Sequence, residues 1–432
     1  MRKNICNHIY LINFCSRVII LYVRDNFNMF DELTADQTEA ANLICDWFLH
    51  STKQFFVLSG YAGTGKTTLL KHVVTEMLHL IPDDSVAFVT PTGKAATALI
   101  RTGIPASTLH KLIYQPIAEE QEISVNGKKI IIEKLNFKRR ESIDRSIKLI
   151  VLDEFSMVSN EVLYDIGRYG IKLLLCGDNA QLPPVEGMND FLAAPDYTLK
   201  TIVRQQQGNP IIKLSESARE GKYIGYGRYG DSVTVISRRM FTGELRKNCL
   251  LRADQIICGI NKTRALINNE IRSYLGFGNL PEDGDKLICT QNNWEMYIDR
   301  EMRFNMVNGI IGTAYSPYYY GEDGIGFVVF KPDFTDEVCP EAVPFDTGIF
   351  TDGNYRHRRG DYFEKFNEDG EAVGAFTLNR FEYGYCISCH KAQGSEFDNV
   401  VVFDESYAFK EDKNRWLYTA ITRAKKKLVI VK

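Results

Sequence analysis

The segment GYAGTGKT, Gly60–Thr67, has the spacing G-x-x-x-x-G-K-T, with an apolar run before it and a helical pattern after it. Glycines at these positions let successive backbone N–H groups turn inward around an anion. Gly60, Ala62, Gly63, Thr64, Gly65 and Thr68 are therefore read as a phosphate cradle. Lys66 has the reach to meet the β- and γ-phosphates of a nucleoside triphosphate, and the Thr67 hydroxyl is placed to ligate Mg²⁺. A second chemical signal follows in LIVLDEFSM, where Asp153 and Glu154 end an apolar run. Asp153 is the expected Mg²⁺-associated carboxylate, and Glu154 the expected acceptor of a proton from an attacking water. In CGDNAQLPPV, Gln181 stands in the loop after the next apolar run, where its amide could bond the γ-phosphate or that water.

These residues need a scaffold that brings separated segments to one edge. FFVLSG, SVAFVTP, IKLIVLDE and IKLLLCGD are continuous apolar runs, each ending in polar residues. Runs of this kind alternating with helical stretches predict a parallel sheet covered on both faces, with ligands at the carboxyl ends of its strands. Between the second and third runs, Asn126-Gly127 separates two β-prone stretches, the signal of a type I′ hairpin. A second α/β lobe starts near residue 201 and is interrupted by a stretch rich in Gly, Asp, Asn and aromatics, which predicts a small antiparallel barrel. The expected bounds are 29–112 and 149–200 for the first lobe, 113–148 for its β insertion, 201–276 and 377–432 for the second lobe, and 277–376 for the barrel.

The 432 residues carry a net charge of -3, so no global basic footprint announces a polyanion, although a local path can still be basic. Ten cysteines scattered over this length fit reduced thiols in cytoplasm rather than a disulfide framework. HIYLINFCSRVIILYV is broken by Arg17 and too short to span a bilayer comfortably. No membrane association is expected, and residues 1–28 are read as an extension ahead of a functional start at Met29. Cys386, Cys389 and His390 have the C-x-x-C-H order of a haem attachment site. They sit in a strand–loop–strand pattern in which small apolar side chains pack, and no haem is expected.

Taken together, the cradle, DEFSM and the Gln181 loop resemble the superfamily 1 helicases, and the resemblance covers nearly the whole chain after residue 29. Its RecD-like and Dda-like branch is the most similar, given the short β insertion and the interrupting barrel. The resemblance implies an α/β fold of two RecA-like parallel-sheet lobes, with a β-hairpin insertion in the first and an SH3-like β-barrel in the second. It implies Gln37, in LTADQTEA, as a bidentate reader of adenine. It also implies Arg204, in TIVRQQQ, and Arg423, in LYTAITRAKKKL, as γ-phosphate contacts across a cleft. The family pattern T-x-H-K-x-Q-G-S-E-F-D is filled from Ser388 to Asp398, with Ser388 in place of Thr. Gly394 and Glu396 are its nucleotide-site members, and Ser388 and His390 its DNA contacts. Pro91, Thr92, Lys94, Thr108 and His110 resemble the first lobe's single-strand path. The implied activity is ATP- and Mg²⁺-dependent DNA unwinding in replication, recombination or repair. A monomer would move 5′ to 3′ on single-stranded and forked DNA, beside single-strand-binding or replication and recombination proteins. An RNA-acting relative and a nucleic-acid-binding ATP switch without unwinding remain alternatives. The hairpin with Lys138, Arg139 and Arg140 is a candidate strand-splitting pin, whereas Arg356–Arg359 is read as a solvated basic run.

Overall fold

The computed structural model describes residues 33–81, 84–125, 128–184, 189–203, 208–301, 304–320, 324–351, 362–366 and 372–432. The expectations placed on residues 1–28, Asn126–Gly127, Arg204 and Arg356–Arg359 lie outside the described residues. No helix among the described residues is long and apolar enough to cross a membrane.

The first-half strands are β1 (Phe55–Gly60), β2 (Val86–Thr90), β3 (Ser107–Thr108), β4 (Tyr114–Val125), β5 (Lys128–Arg139), β6 (Leu149–Leu152), β7 (Lys172–Gly177) and β8 (Tyr197–Leu199). Six of them form one parallel sheet in the order β3-β2-β6-β7-β1-β8. Alternate residues of its strands enter different cores. Leu58, Val151 and Leu174 pack with the helix Ala35–His50 on one side, and Val57, Ile150 and Leu173 pack against Leu163 and Ile166 on the other. Both faces are buried, which is why the strands read as unbroken apolar runs. The register pairs Ser59 with Gly177 and Val89 with Leu152, so the carboxyl ends of β1, β2, β6 and β7 stand level.

β4 and β5 leave this sheet as a separate hairpin paired from Tyr114↔Arg139 to Val125↔Lys128. Its root is fastened rather than free. Tyr169 donates its hydroxyl to the Arg140 carbonyl (2.7 Å), with the Ile113 carbonyl 3.1 Å away, and Tyr114 donates to Asp165 (3.1 Å). Two basic residues expected to serve the hairpin are used here instead. Arg139 lies over the Tyr169 ring and near Asp165, and Arg140 Nε donates to the Tyr114 carbonyl.

The remaining strands are β9 (Gly227–Tyr229), β10 (Val233–Ile236), β11 (Gln255–Cys258), β12 (Lys286–Cys289), β13 (Asn293–Tyr297), β14 (Asn305–Met306), β15 (Ile311–Tyr320), β16 (Ile325–Pro332), β17 (Val343–Asp346), β18 (Tyr362–Phe366), β19 (Ala372–Thr377), β20 (Phe381–Tyr383), β21 (Cys386–Ser388), β22 (Phe397–Phe403) and β23 (Ala424–Val431). A second sheet has the order β21-β11-β22-β23-β10-β9, parallel except for the edge strand β9. Cys386, on β21, and Cys389, on the short helix Cys389–Ala392 that follows it, are both fully buried in its flanking cores.

Between β11 and β21 the chain builds an antiparallel sheet in the order β17-β16-β15-β12-β20. Its end strands come together, because Asp346 donates its N–H to the Asn379 carbonyl (3.0 Å) and Asn379 donates to the Pro344 carbonyl (2.9 Å). β20 pairs with β12 through Leu287↔Tyr383, so this sheet runs past the expected end at residue 376. Turn-rich composition could not mark that boundary, since a three-residue strand leaves almost no periodicity.

A buried ion pair fixes this unit to the second sheet. Arg272, on the helix Asn261–Leu275, donates to Asp285 through Nε (3.1 Å) and Nη2 (2.9 Å), and Nη2 also reaches the Leu280 carbonyl (2.7 Å). Tyr385 donates to the same carboxylate (2.9 Å), and the guanidinium lies 3.9 Å from the Tyr383 ring centre. Removing one partner of such a pair strands a buried charge. Asp285→Ala is expected to lower stability by about 3–5 kcal/mol in denaturant titration, and a loss below about 1 kcal/mol would contradict this anchoring role.

Candidate functional site

At the end of β1 the chain turns through two left-handed glycines, Gly63 (φ 80°) and Gly65 (φ 71°), into the helix Lys66–His72. The turn has no spare volume. A Cβ on Gly60 would stand 2.9 Å from Thr64 Oγ1, and one on Gly65 would stand 2.6 Å from Gln37 Nε2. Thr64 is buried and donates its hydroxyl to the Tyr61 carbonyl (2.8 Å). Lys66 Nζ is folded back over the turn, donating to the carbonyls of Gly60 (2.7 Å) and Tyr61 (3.4 Å). Burial works against that ammonium, but the nearby charges of Asp178, Glu154 and Asp153 outweigh it and hold the lysine above its ordinary pKa. Thr67 and Thr68 start the helix, half-buried and exposed respectively.

Gln37 is buried beside the cradle with both ends of its amide engaged. Oε1 accepts from the Thr34 N–H (3.0 Å) as part of a capping box, and Nε2 donates to the Thr64 carbonyl (2.9 Å). The expected base reader therefore braces the cradle in this structure.

Asp153 follows β6 and accepts the Glu154 N–H (2.9 Å). Burial raises its carboxyl, with Lys66 pulling the other way. Glu154 is a non-glycine residue in the left-handed region (φ 55°), a conformation that costs about 1–2 kcal/mol. Burial and the Asp153 charge push its carboxyl up to about 7, while Arg423 and Lys66 oppose them. Its Oε2 is buried without a hydrogen-bond partner, as is Gln181 Oε1 on the turn after β7. Asp178, on that same turn, is the charge that acts most strongly on Lys66. It was not singled out as a site residue, although it is the polar end of IKLLLCGD and carried the signal that marked Asp153.

From the second sheet comes Arg423, 4% exposed, at the end of the helix Lys413–Ile421. Its guanidinium donates to the carbonyls of Thr419 (3.0 Å) and Ser395 (3.1 Å) and to Thr422 Oγ1 (3.0 Å). It is near enough to Glu154 to lower that carboxyl, so both halves of the chain contribute charge to one site. Gly394 (φ 66°) faces Met157 and Thr92 of the first half, where a Cβ would stand 3.5 and 3.6 Å away. Glu396 instead points outward, exposed and paired with Lys425 (3.1 Å). Beside the undescribed Arg204, Val203 donates its N–H to the Gly63 carbonyl (3.0 Å).

The expected polynucleotide contacts divide into caps and stackers. Thr92, after Pro91, and Thr108 cap short helices through their hydroxyls, as does Ser388. Lys94 Nζ lies 4.3 Å from the Phe397 ring centre, and burial lowers its pKa to about 8. His110 stacks on Trp294 (5.4 Å) and His390 lies 5.9 Å from Phe409. Phe137, at the hairpin root, also meets Trp294 (4.8 Å), which joins the first half to the antiparallel unit. A polar cleft of about 380 Å³ adjoins Ser388, with Arg264 and Lys391 on one wall and Thr290, Asn308 and Arg380 on the other. Glu382 pairs with both Arg264 and Lys391 there. No sequence motif pointed to this cleft, because its lining is scattered over segments from Asn261 to Lys391.

Residues 32–236 match the family model of an AAA domain, and residues 383–431 match that of a UvrD-like helicase C-terminal domain. The chain is 28% identical over 453 residues to the ATP-dependent DNA helicase dda of Enterobacteria phage T4, covering 92% of this chain and 98% of that protein. It is 26% identical over 395 residues to the ATP-dependent RecD2 DNA helicase of Deinococcus radiodurans, covering 85% of this chain. It spans only 46% of the length of that second relative. A crystal structure of a Bacteroides Pif1 helicase with ADP-AlF3 and single-stranded DNA superposes with a TM-score of 0.46 at 18% identity, covering 92% of each chain.

The tight turn at Gly65 yields a direct test. Gly65→Ala forces a left-handed alanine against the Gln37 amide, and stability is expected to fall by at least about 1–2 kcal/mol in denaturant titration. An unchanged midpoint would contradict this packing.

Proposed function

We infer that this chain, which belongs to the RecD- and Dda-like branch of the superfamily 1 helicases, is an ATP-dependent DNA helicase that moves 5′ to 3′ along single-stranded DNA and opens the duplex ahead of it. The observation that carries the reading is the convergence of charge from both halves. Lys66, Asp153 and Glu154 come from one parallel sheet, and Arg423, near enough to lower Glu154, comes from the other.

The donor set fits a nucleotide with Mg²⁺. Glu154 Oε2 and Gln181 Oε1 are buried acceptors without partners, the buried Asp153 carboxylate is close enough to Lys66 to feel its charge, and a Cβ at Gly60 or Gly65 would collide with its neighbours. Thr67 and Asp153 would hold the metal, which when bound neutralises charge between the β- and γ-phosphates. Lys66 would swing from the Gly60 and Tyr61 carbonyls to the phosphates. Glu154, raised by burial, is suited to accept the proton of the attacking water. Gln181 would orient that water, while Arg423 and Arg204 stabilise charge on the transferred group. An arginine supplied across a cleft is worth roughly 10³–10⁵ in turnover, and its geometry depends on lobe closure, so hydrolysis is coupled to movement. Gly60, Ala62–Thr68 and Gly394 would cradle the nucleotide, with Gln37 and Glu396 turning toward it on binding.

Single-stranded DNA would cross Pro91, Thr92, Lys94, Thr108 and His110 on the first lobe, then Ser388 and His390 on the second. Support comes from the His110–Trp294 stack and from the basic cleft beside Ser388, since stacking and phosphate contacts grip a strand without reading its sequence. We read β4–β5 as the pin, braced at its root by Tyr169 and Trp294. The closed antiparallel sheet is read as an SH3-like barrel, with its bounds moved to 277–383 to include β20. The protein would act as a monomer in a bacterial or phage-infected cytoplasm, consistent with eight free cysteines among the described residues. Replication, recombination or repair proteins would be its partners.

ATPase assays with and without oligo-dT, followed by unwinding of DNA and RNA forks tailed on either end, test the reading. Unwinding of RNA forks alone, or of 3′-tailed forks alone, would overturn substrate or direction. Lys66→Ala and Glu154→Gln are each expected to reduce turnover by at least about 10²-fold with the fold intact by circular dichroism. Normal turnover in Glu154→Gln would remove the assigned base. Shortening the hairpin by deleting residues 124–129 is expected to slow fork unwinding at least about fivefold while DNA-stimulated ATPase stays within about twofold, as a pin acting on the duplex rather than on nucleotide requires. Equal losses in both would exclude the pin.

A further inference from the structure

Tyr418 belongs to the helix Lys413–Ile421 of the second half, yet its hydroxyl is spent on the first. It accepts the Ala62 N–H (2.9 Å) and donates to Asp178 Oδ2 (2.5 Å), and the ring is 1% exposed. A phenol has one proton to give, so this hydroxyl is committed to the cradle on one side and to the turn after β7 on the other. Burial, followed by the Asp178 charge, pushes the phenol well above its ordinary pKa, so it stays a donor at neutral pH.

Neighbouring contacts share the same two targets. Arg219, on the helix Pro210–Arg219 of the second half, lies 3.5 Å from the Tyr61 ring centre. Thr419 accepts the Leu182 N–H (3.0 Å), and Gln393 Nε2 donates to the Leu182 carbonyl (2.8 Å). The second half therefore grips Tyr61–Ala62 at one point and the 178–182 turn at another. These two segments surround Lys66, whose ammonium sits on the Gly60 and Tyr61 carbonyls and feels Asp178 most strongly of the carboxylates.

We propose that Tyr418 and Arg219 form a latch on the Tyr61–Ala62 turn, through which occupancy of the phosphate cradle is transmitted to the second lobe and its grip on DNA. Both are positioning residues. When Lys66 leaves the Gly60 and Tyr61 carbonyls for a phosphate, the turn loses its internal ammonium contact. Tyr418 and Arg219 then remain as its side-chain links to the other lobe. Asp178, relieved of the lysine, stays tied to the same phenol. A change of charge at the cradle thus reaches the helix Lys413–Ile421, which ends two residues before Arg423, through the Tyr61–Ala62 peptide and one hydrogen bond.

The proposal rests on the ATP-driven reading above, and one experiment separates the two. Oligo-dT affinity is measured by fluorescence anisotropy with no nucleotide and with saturating ATPγS–Mg²⁺, for the wild-type chain, Tyr418→Phe and Arg219→Ala. The wild type is expected to show a nucleotide-dependent affinity ratio of about 5–150-fold, the usual range of site–site coupling. Tyr418→Phe keeps the ring and removes only the hydroxyl. Its nucleotide-free affinity is expected to stay within about twofold of wild type while the ratio falls at least fivefold, a change that merely weakened packing would not produce. Arg219→Ala, at a half-buried site, is expected to move the ratio in the same direction, and it decides the matter if Tyr418→Phe does not fold. A wild-type ratio retained by the folded variants overturns the latch alone. A wild-type chain that binds no ATPγS overturns the ATP-driven reading and the latch with it.

Discussion

One ammonium among three carboxylates is the constraint on which the site depends. Lys66 stands with Asp153, Glu154 and Asp178 in a pocket where burial penalises every charge. Left alone, that set carries excess negative charge in a poorly solvated place, and the raised Glu154 carboxyl is its visible result. Two remedies are built in. Arg423 brings a second positive charge from the other sheet, and a metal ion, when bound, would add positive charge beside Asp153.

The surrounding fold keeps that constraint exact. Parallel register levels the carboxyl ends of β1, β2, β6 and β7, so the cradle and acidic pair meet without long side chains bridging the gap. The glycine turn is packed so closely that Gln37 serves as its brace. Strain appears at Glu154, where a left-handed backbone turns the acid into the pocket. Strain at one residue persists where the surroundings over-determine it, and here β6 ahead of it and the buried Phe155 behind it do so.

The insertions are held by different physics. Arg272 and Asp285 anchor the antiparallel unit with a buried ion pair, and the guanidinium also donates to the carbonyls of Gly278 and Leu280. The hairpin is joined to that unit by aromatic contact, Phe137 on Trp294 and Trp294 on His110. The ion pair sets one orientation through directed donors, whereas the hairpin's Phe137 meets Trp294 at a tilt and carries no directed bond there.

Much of this was legible in the chain because the chemistry is contiguous. Gly60–Thr67 and Asp153–Glu154 are local patterns whose backbone requirement is written in residue type, and the apolar runs before them announce buried parallel strands without knowledge of their neighbours. The same runs disclosed two α/β lobes and an interruption rich in turns. Tertiary structure alone decided which distant groups meet. Tyr418 sits in an apolar helical stretch and looks like core until the Ala62 amide and Asp178 are found at its hydroxyl. Gln37, expected to read a base, donates to the Thr64 carbonyl in this structure. Arg139 and Arg140, read as part of a candidate pin, fasten the hairpin root, and the short strand at Phe381–Tyr383 extends the antiparallel sheet beyond residue 376. Local pattern determines backbone geometry and burial, because these depend on neighbours in sequence. The partner of a side chain depends on how sheets are stacked, which no single segment encodes.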